Sequence, residues 1–145
     1  MGALAGVAGC GEGVRWDLAT FPEVHARAAA ADRLTFVYFR NWYRKECTDF
    51  EESVLKDPEV LRETGNFTCV PLEYQRSDQQ LGQRWGLTQT PAFAVVAPDG
   101  RVLVRSNPPI TKEQLLEALR NARREFAELK QSRAPAAAEK PVVIP

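Results

Sequence analysis

The sequence predicts an α/β protein with a central mixed sheet of 4–5 strands and helices on both faces. Two observations lead to this fold class. Apolar, β-branched runs typical of strands alternate along the chain with capped, amphipathic runs typical of helices. The last two strand-like runs, residues 92–97 and 101–105, are separated only by a Pro-Asp-Gly turn, which predicts a hairpin. The predicted order is therefore β-α-β-α-β-α-β-β-α.

The composition is that of one ordinary globular domain. The chain has 145 residues, of which 44% are hydrophobic and 26% charged, and its formal net charge is zero. This balance argues against a nucleic-acid partner, and no apolar run approaches the ~20 residues of a membrane-spanning helix. The three cysteines form no C-x-x-C pair, and the single histidine, His25, cannot complete a common zinc site. We therefore expect no metal and no cofactor.

The first predicted elements follow from local signals. Residues 14–17 (VRWD) have the pattern of a short strand. Thr20 and Glu23 then form a capping-box pattern, which predicts the start of an Ala-rich helix. Residues 34–39 are apolar at five of six positions and rich in aromatic and β-branched side chains. Such a run predicts a buried central strand.

The middle elements are two helices and a strand. Apolar residues at helical spacing predict a helix over residues 50–55, and Asp57 with Pro58 predicts the N-cap and first turn of another. Residues 67–74 (FTCVPLEY) have the composition of a strand. Pro71 cannot donate a hydrogen bond to a neighbouring strand, so this strand requires an edge position or a bulge.

The last two helices are predicted from capping boxes as well. Ser77 and Gln80 form one such pattern, and Thr111 and Gln114 form another. The final helix also has an apolar stripe at helical spacing. Its members are Leu115, Leu116, Leu119, Ala122 and Phe126.

Both ends of the chain differ in composition from the domain predicted over residues 14–131. Residues 132–145 combine alanine and proline with little that could pack, which predicts a flexible tail. Residues 1–13 are small and apolar, and their V-A-G-C sequence resembles a bacterial lipobox, whose cysteine becomes the lipidated first residue. Cys10 would then anchor an extracytoplasmic, periplasmic domain to a membrane. A signal peptide also needs a positive n-region, and no lysine or arginine precedes Arg15.

This mismatch leaves two interpretations of the N-terminal segment open. In one, the true start lies upstream and the segment is the remnant of a lipoprotein signal. In the other, the likeness is accidental, and a cytoplasmic location remains the alternative.

Several motifs occur in order and at matching spacing. They are the F-V-Y-F strand, the D-P-E-V sequence that follows Cys47, and Thr90-Pro91 before AFAVVAPDG. In these features the chain resembles the thioredoxin-like family, in particular its bacterial extracytoplasmic branch. The resemblance covers roughly residues 14–124. It implies the thioredoxin-like fold and a cis proline at Pro91.

The resemblance also implies a place for a redox motif, but the chemistry is incomplete. In the family, a thiolate at a helix N-terminus attacks a disulfide, and a cysteine three residues later resolves the mixed disulfide. Aligned through Asp57, Cys47 takes the second position and Arg44 the first, so the motif is R-K-E-C. Tyr43 then stands where the family has tryptophan. The attacking thiol is absent.

A shift by one residue does not restore the dithiol. Trp42 could take the place of the family tryptophan, in which case Tyr43 and Glu46 fill the two cysteine positions. The buried acid of thioredoxin itself, six residues before the first cysteine, falls on Tyr38. We therefore expect no C-x-x-C chemistry in either alignment.

Cys47 itself has two interpretations. As a monothiol it would be activated by Arg44, Lys45 and a nearby helix start, which lower a thiol pKa. Alternatively, it is an inert residue where a resolving cysteine once packed, and a helix capped by Thr48 would leave it outside the dipole. Cys69 lies in a predicted strand, which favours a packed core residue and disfavours a disulfide with Cys47.

Three functional hypotheses follow. The chain is a redox-inactive binding or assembly module with a protein or peptide partner, or a monothiol oxidoreductase or redox sensor acting through Cys47, or an accessory subunit of a membrane-associated complex. Because relatives bind extended chains beside the cis proline through backbone pairing, the binding hypothesis does not need the missing thiol. The expected peptide-binding residues are Trp42, Tyr43, Arg44, Thr90 and Pro91.

Overall fold

The computed structural model describes residues 13–143, with side chains described for residues 13–132. Within the described residues, five helices and four strands follow one another in the order α-β-α-α-β-α-β-β-α. This agrees with the predicted order except at its first strand, which is absent from the four, and between the first two strands, where two helices occur. The helices are α1 (Phe21–Ala30), α2 (Lys45–Ser53), α3 (Pro58–Thr64), α4 (Arg76–Arg84) and α5 (Lys112–Val143). The strands are β1 (Thr35–Arg40), β2 (Thr68–Glu73), β3 (Ala92–Val96) and β4 (Val102–Ser106).

The four strands form one mixed sheet in the order β2-β1-β3-β4. β1 pairs with β2 in parallel, as expected for strands joined by helices, and pairs with β3 in antiparallel orientation. β3 and β4 form the predicted hairpin. Helices pack on both faces, so the predicted fold class is confirmed.

The two faces of β1 bury two separate cores because side chains alternate along a strand. Phe36 and Tyr38 face one core, together with apolar residues of α2, α3 and α5. Val37 and Phe39 face the other core, against α1 and α4. Each fully buried side chain of this size stabilises the fold by about 1.5–3 kcal/mol. The run of apolar residues in β1 therefore reflects burial on both faces, as the sequence predicts.

The strand predicted over residues 14–17 is reduced to one contact. Trp16 forms a single parallel bridge with Cys69, and the Asp17 N–H donates to the Cys69 carbonyl at 2.7 Å. The chain then turns away because the Asp17 carboxylate pairs with Arg27 on α1 and accepts a hydrogen bond from the Ala19 N–H. β2 is consequently the edge of the four-stranded sheet, which agrees with the position that Pro71 requires.

Three predicted caps are present, and two are wrong. The side chains of Thr20, Asp57 and Thr111 accept hydrogen bonds from the first turns of α1, α3 and α5. Ser77 lies inside α4, which begins at Arg76, and Thr48 lies inside α2. Both helices begin without a side-chain cap, because the connection from the preceding strand, which no local pattern encodes, sets where each one starts.

One expectation for the C-terminal segment is wrong, whereas the domain boundary at residue 131 stays a prediction. α5 continues to Val143, so it includes most of residues 132–145, which the sequence predicts to be too rich in proline for a helix. Alanine is the strongest helix former, and four alanines within residues 134–138 offset part of the cost of Pro135. The flexibility of this segment stays a prediction.

We expect the free energy of unfolding to fall at alkaline pH. The reason is that the buried Cys69 thiol and Tyr38 hydroxyl keep their protons to a higher pH in the folded chain than in the unfolded chain. Burial raises the pKa of Cys69 from 9.0 to about 12. Burial, followed by the nearby Glu51 charge, raises the pKa of Tyr38 above its usual 10.0. The unfolded chain releases these protons first, so the stabilisation is complete below about pH 9 and declines between about pH 9 and pH 12.

Urea unfolding across this range measures the effect, with an expected loss of at least about 1 kcal/mol by about pH 11. The decline should be smaller in Cys69→Ala and in Tyr38→Phe. The matched control is Tyr43→Phe, which changes an exposed tyrosine. It should leave the decline of the unfolding free energy with pH as large as in the wild-type chain. A free energy of unfolding that stays constant above pH 9 would contradict this expectation.

Candidate functional site

The R-K-E-C sequence lies where β1 passes into α2. β1 ends at Arg40, and Arg44 is the N-cap of α2, with φ −92° and ψ 125°. Cys47 is therefore the third residue of the helix. Arg44 occupies the helix N-cap, where the alignment through Asp57 places the attacking thiol of the family. Its side chain is 39% exposed, and its Nη2 lies 3.6 Å from the Glu46 Oε1.

Cys47 is inside the protein. Its side chain has 0% exposure, and its Sγ accepts a hydrogen bond from the Asn41 N–H at 3.4 Å. Because α2 begins at Lys45, Cys47 lies within the first turn of the helix. The interpretation in which Thr48 caps the helix, and leaves Cys47 outside it, is therefore wrong. A reagent or substrate can reach this thiol only if the surrounding chain opens.

Asn41 connects the segments of the site. Its Nδ2 donates to the Tyr74 carbonyl at 3.3 Å, and its Oδ1 accepts from the Thr90 hydroxyl at 2.6 Å. Both side chains, Asn41 and Thr90, are buried. The sequence analysis missed Asn41 because its side-chain partners lie 33 and 49 positions away, and no local pattern marks such a residue.

The Thr90–Pro91 peptide bond is cis. The loop before it is held by Asn107, whose Oδ1 accepts from the Thr88 N–H at 2.9 Å and whose Nδ2 donates to the Gly86 carbonyl at 3.0 Å. β3 begins immediately after Pro91, at Ala92. The cis proline is therefore presented at the end of the sheet beside the start of α2.

A groove of about 500 Å³ runs between α2 and this loop. Arg44, Thr90 and Pro91 are part of its lining, so the structure brings together three of the predicted binding residues. The rest of the lining is apolar, acidic or neutral and polar, and it includes Phe50, Val54, Pro109, Ile110, Glu46, Asp49, Ser53 and Gln89.

Trp42 and Tyr43 lie outside the groove lining, although they directly precede Arg44. They are 70% and 67% exposed, and their rings contact each other edge to face at a centroid distance of 5.8 Å. The Trp42 N–H donates to the Glu73 carboxylate at 3.0 Å, which fixes the turn. Trp85 packs elsewhere, with its ring against Phe21 and Phe39.

The structure describes one of the two remaining cysteines. Cys69 is buried and donates its S–H to the Thr64 carbonyl at 3.5 Å, so it is the expected core residue; Cys47 and Cys69 are both free thiols. Cys10 lies outside the described residues.

Within residues 13–132, no three His, Cys, Asp or Glu side chains are grouped as metal ligands. No helix in the described part of the chain is both long and apolar enough to cross a membrane.

Comparison with known protein families and solved structures agrees with the thioredoxin-like fold. The sequence profile of a family described as thioredoxin-like matches residues 16–98, more than half of the chain. The chain belongs to the thioredoxin-like family. No curated protein matches the sequence.

Solved structures of thioredoxin-like proteins superpose on most of the chain. A thioredoxin from Thermus thermophilus is 27% identical, with a TM-score of 0.64, over 74% of this chain and 85% of that one. A putative disulphide-isomerase from Bacteroides thetaiotaomicron is 21% identical, with a TM-score of 0.66, over 77% and 93%. The C-terminal domain of DsbD from Neisseria meningitidis is 17% identical, with a TM-score of 0.60, over 70% and 92%. The last two show likeness of fold alone.

We expect the Asn41–Thr90 hydrogen bond to be a strong coupling in this thioredoxin-like site. Asn41→Ala leaves the Thr90 hydroxyl buried without this acceptor, which should cost about 1–3 kcal/mol of unfolding free energy. A double-mutant cycle with Thr90→Val, measured by urea unfolding, should give a coupling energy of at least about 0.5 kcal/mol. Ser53→Ala, which removes an exposed hydroxyl bonded to the Asp49 carbonyl, is the control. Additive effects of the two substitutions would contradict this coupling.

Proposed function

We propose that this thioredoxin-like domain is a redox-inactive module that binds a protein or peptide partner in the groove beside Pro91. The observation that carries the proposal is the pairing of Arg44 at the helix N-cap with a fully buried Cys47. A guanidinium cannot form a mixed disulfide, and a buried thiol cannot begin the reaction by itself. The groove, in contrast, needs neither thiol.

The groove has the properties of a site for an extended chain. Its lining includes the apolar residues Phe50, Val54 and Ile110, and Thr90 and Pro91 lie beside them. We infer that the Thr90 backbone pairs with the partner in the manner of a strand. Trp42 and Tyr43 add exposed aromatic surface beside Arg44, and such residues contribute strongly to protein interfaces. We infer that the partner's extended chain lies across Pro91 and continues over the aromatic pair.

The alternative is a monothiol function of Cys47. Arg44 and Lys45 supply the cationic neighbourhood that such a thiol requires. Against this alternative, the Sγ is buried and bonded to the Asn41 N–H, so oxidants and disulfides have no direct approach. The binding function is therefore the better supported of the two.

An extracytoplasmic location and a lipid anchor on Cys10 are part of the same proposal. The V-A-G-C sequence supports them. An anchored binding module is suited to the role of accessory subunit in a membrane-associated complex.

Restoring a thiol at position 44 tests whether its absence explains the proposed redox inactivity. We expect the wild-type chain to leave the rate of insulin reduction by dithiothreitol unchanged. Arg44→Cys should raise this rate by at least about tenfold, because a thiol at the N-cap is activated by the helix and resolved by Cys47. Arg44→Ser is the matched control, since it removes the guanidinium without adding a thiol. Catalysis by the wild-type chain would contradict redox inactivity.

Peptide selection tests the binding function. Unstructured peptides selected from a displayed library against the full-length chain should bind at the groove, and Trp42→Ala should weaken them at least about tenfold. Leu18→Ala is the matched control, because Leu18 is a large apolar residue that is 81% exposed elsewhere on the surface. Calorimetry gives the affinities, and amide shifts near Pro91 give the location. Failure to select any peptide, or peptides that bind away from the groove, would contradict the proposal.

A further inference from the structure

A second cavity, of about 400 Å³, lies on the other side of α2 from the groove beside Pro91. The groove is lined by Asp49, Phe50 and Ser53, whereas this cavity is lined by Glu51 and by Leu55 just after the helix. Its floor is formed by the ends of the parallel strands β1 and β2. Ligands of open α/β sheets commonly bind at the carboxyl ends of such strands.

The polar end of the cavity is built around the Glu51 carboxylate. Its Oε2 accepts two hydrogen bonds, from the Tyr38 hydroxyl at 2.9 Å and from the Arg40 Nε at 2.6 Å. Its Oε1 accepts none from the residues that the structure describes. The Tyr38 hydroxyl donates its proton to Glu51 and so keeps lone pairs that can accept. Two acceptor atoms are therefore free at one end of the cavity.

The opposite part of the cavity is apolar. Trp16 forms one wall, with its ring stacked on Tyr38 at a centroid distance of 5.7 Å. Leu55 and Pro71 complete the apolar lining. An apolar body, in particular a flat ring, fits between these side chains, and the volume lies within the range of small-molecule sites.

The charges of the cavity select the head group of the ligand. Three carboxylates (Glu51, Glu52 and Glu73) line it, against two cations. Arg40 is already paired with both Glu51 and Glu73, and Lys56 with Glu52, so one negative charge is in excess. Burial raises the pKa of Tyr38, which keeps its hydroxyl neutral. A cation is attracted to this end of the cavity and an anion is repelled.

The geometry points to a binding site for a small organic cation with an apolar body. The ammonium or amidinium group donates to Glu51 Oε1 and to the Tyr38 hydroxyl oxygen, and the apolar body packs against Trp16 and Leu55. This site is separate from the groove beside Pro91 and does not depend on the function proposed for that groove.

A matched series of probes tests this assignment in the full-length, ¹⁵N-labelled chain. The probes are 2-phenylethylamine, 2-phenylethanol and 3-phenylpropionate, which carry an ammonium, a hydroxyl and a carboxylate on similar bodies. We expect the amine to shift the Trp16 indole N–H and the Leu55 amide saturably, with an affinity at least about tenfold higher than that of the alcohol. The carboxylate should produce no saturable shift.

Glu51→Gln tests the head-group contact, because it removes the charge and keeps the size of the side chain. We expect it to weaken the amine about tenfold and to leave the alcohol unchanged. Glu46→Gln, in the groove on the other side of α2, is the matched control and should change neither affinity. If Glu51→Gln does not fold, Glu73→Gln should weaken the amine in the same direction.

Four results would overturn the assignment, and the first three concern the amine. They are the absence of saturable shifts with the amine, equal affinities for amine and alcohol, and shifts centred on Pro91 and not on Trp16. Preferential binding of the carboxylate would also overturn it, because it would assign the opposite charge to the ligand.

Discussion

The buried side chain of Asn41 joins the three segments that form the site. It follows the last residue of β1, bonds the Tyr74 carbonyl after β2, and accepts the hydrogen bond of Thr90 before β3. Its own N–H donates to the Cys47 sulfur at the start of α2. Each such bond contributes about 0.5–1.5 kcal/mol, but an unpaired group at this depth costs more. These hydrogen bonds therefore hold the segments on either side of the groove together.

Arg44 and Cys47 show that a thioredoxin-like fold can keep the geometry of its site without the two thiols needed for disulfide exchange. The helix still begins where the family places its attacking thiol, and the buried position three residues later still holds a cysteine. The dipole at the helix N-terminus, which would stabilise a thiolate, faces a guanidinium that is already cationic. The features that remain useful are those of shape, namely the cis proline, the apolar groove and the exposed aromatic pair.

α2 separates two environments of different chemistry. On the side of Pro91, the groove is open and mostly apolar, which suits an extended chain. On the other side, the buried Tyr38 hydroxyl donates a hydrogen bond to the Glu51 carboxylate on the helix. Because Arg40 is held between Glu51 and Glu73, the polar end of the second cavity is fixed in place. The two sites can accept different ligands without competing for one surface.

Local patterns in the sequence determined most of the fold. The apolar run of β1, the hairpin turn, the caps at Thr20, Asp57 and Thr111, and the edge position required by Pro71 depend on residues close together in the chain. The degenerate motif could also be seen directly, because the identity of residue 44 is a fact of sequence. Thr48 and Ser77 were misleading for the same reason, since a capping pattern specifies a preference and not the point where a chain enters a helix.

The sequence by itself thus determined the thioredoxin-like architecture and the absence of a dithiol. Only the tertiary structure decided that Cys47 is buried, that Asn41 holds Thr90, and that Glu51 meets Tyr38 and Arg40 in a second cavity. The reason is physical. Burial and hydrogen bonding between residues far apart in the chain depend on how helices pack on the sheet, whereas strand and helix signals depend on neighbours within a few positions.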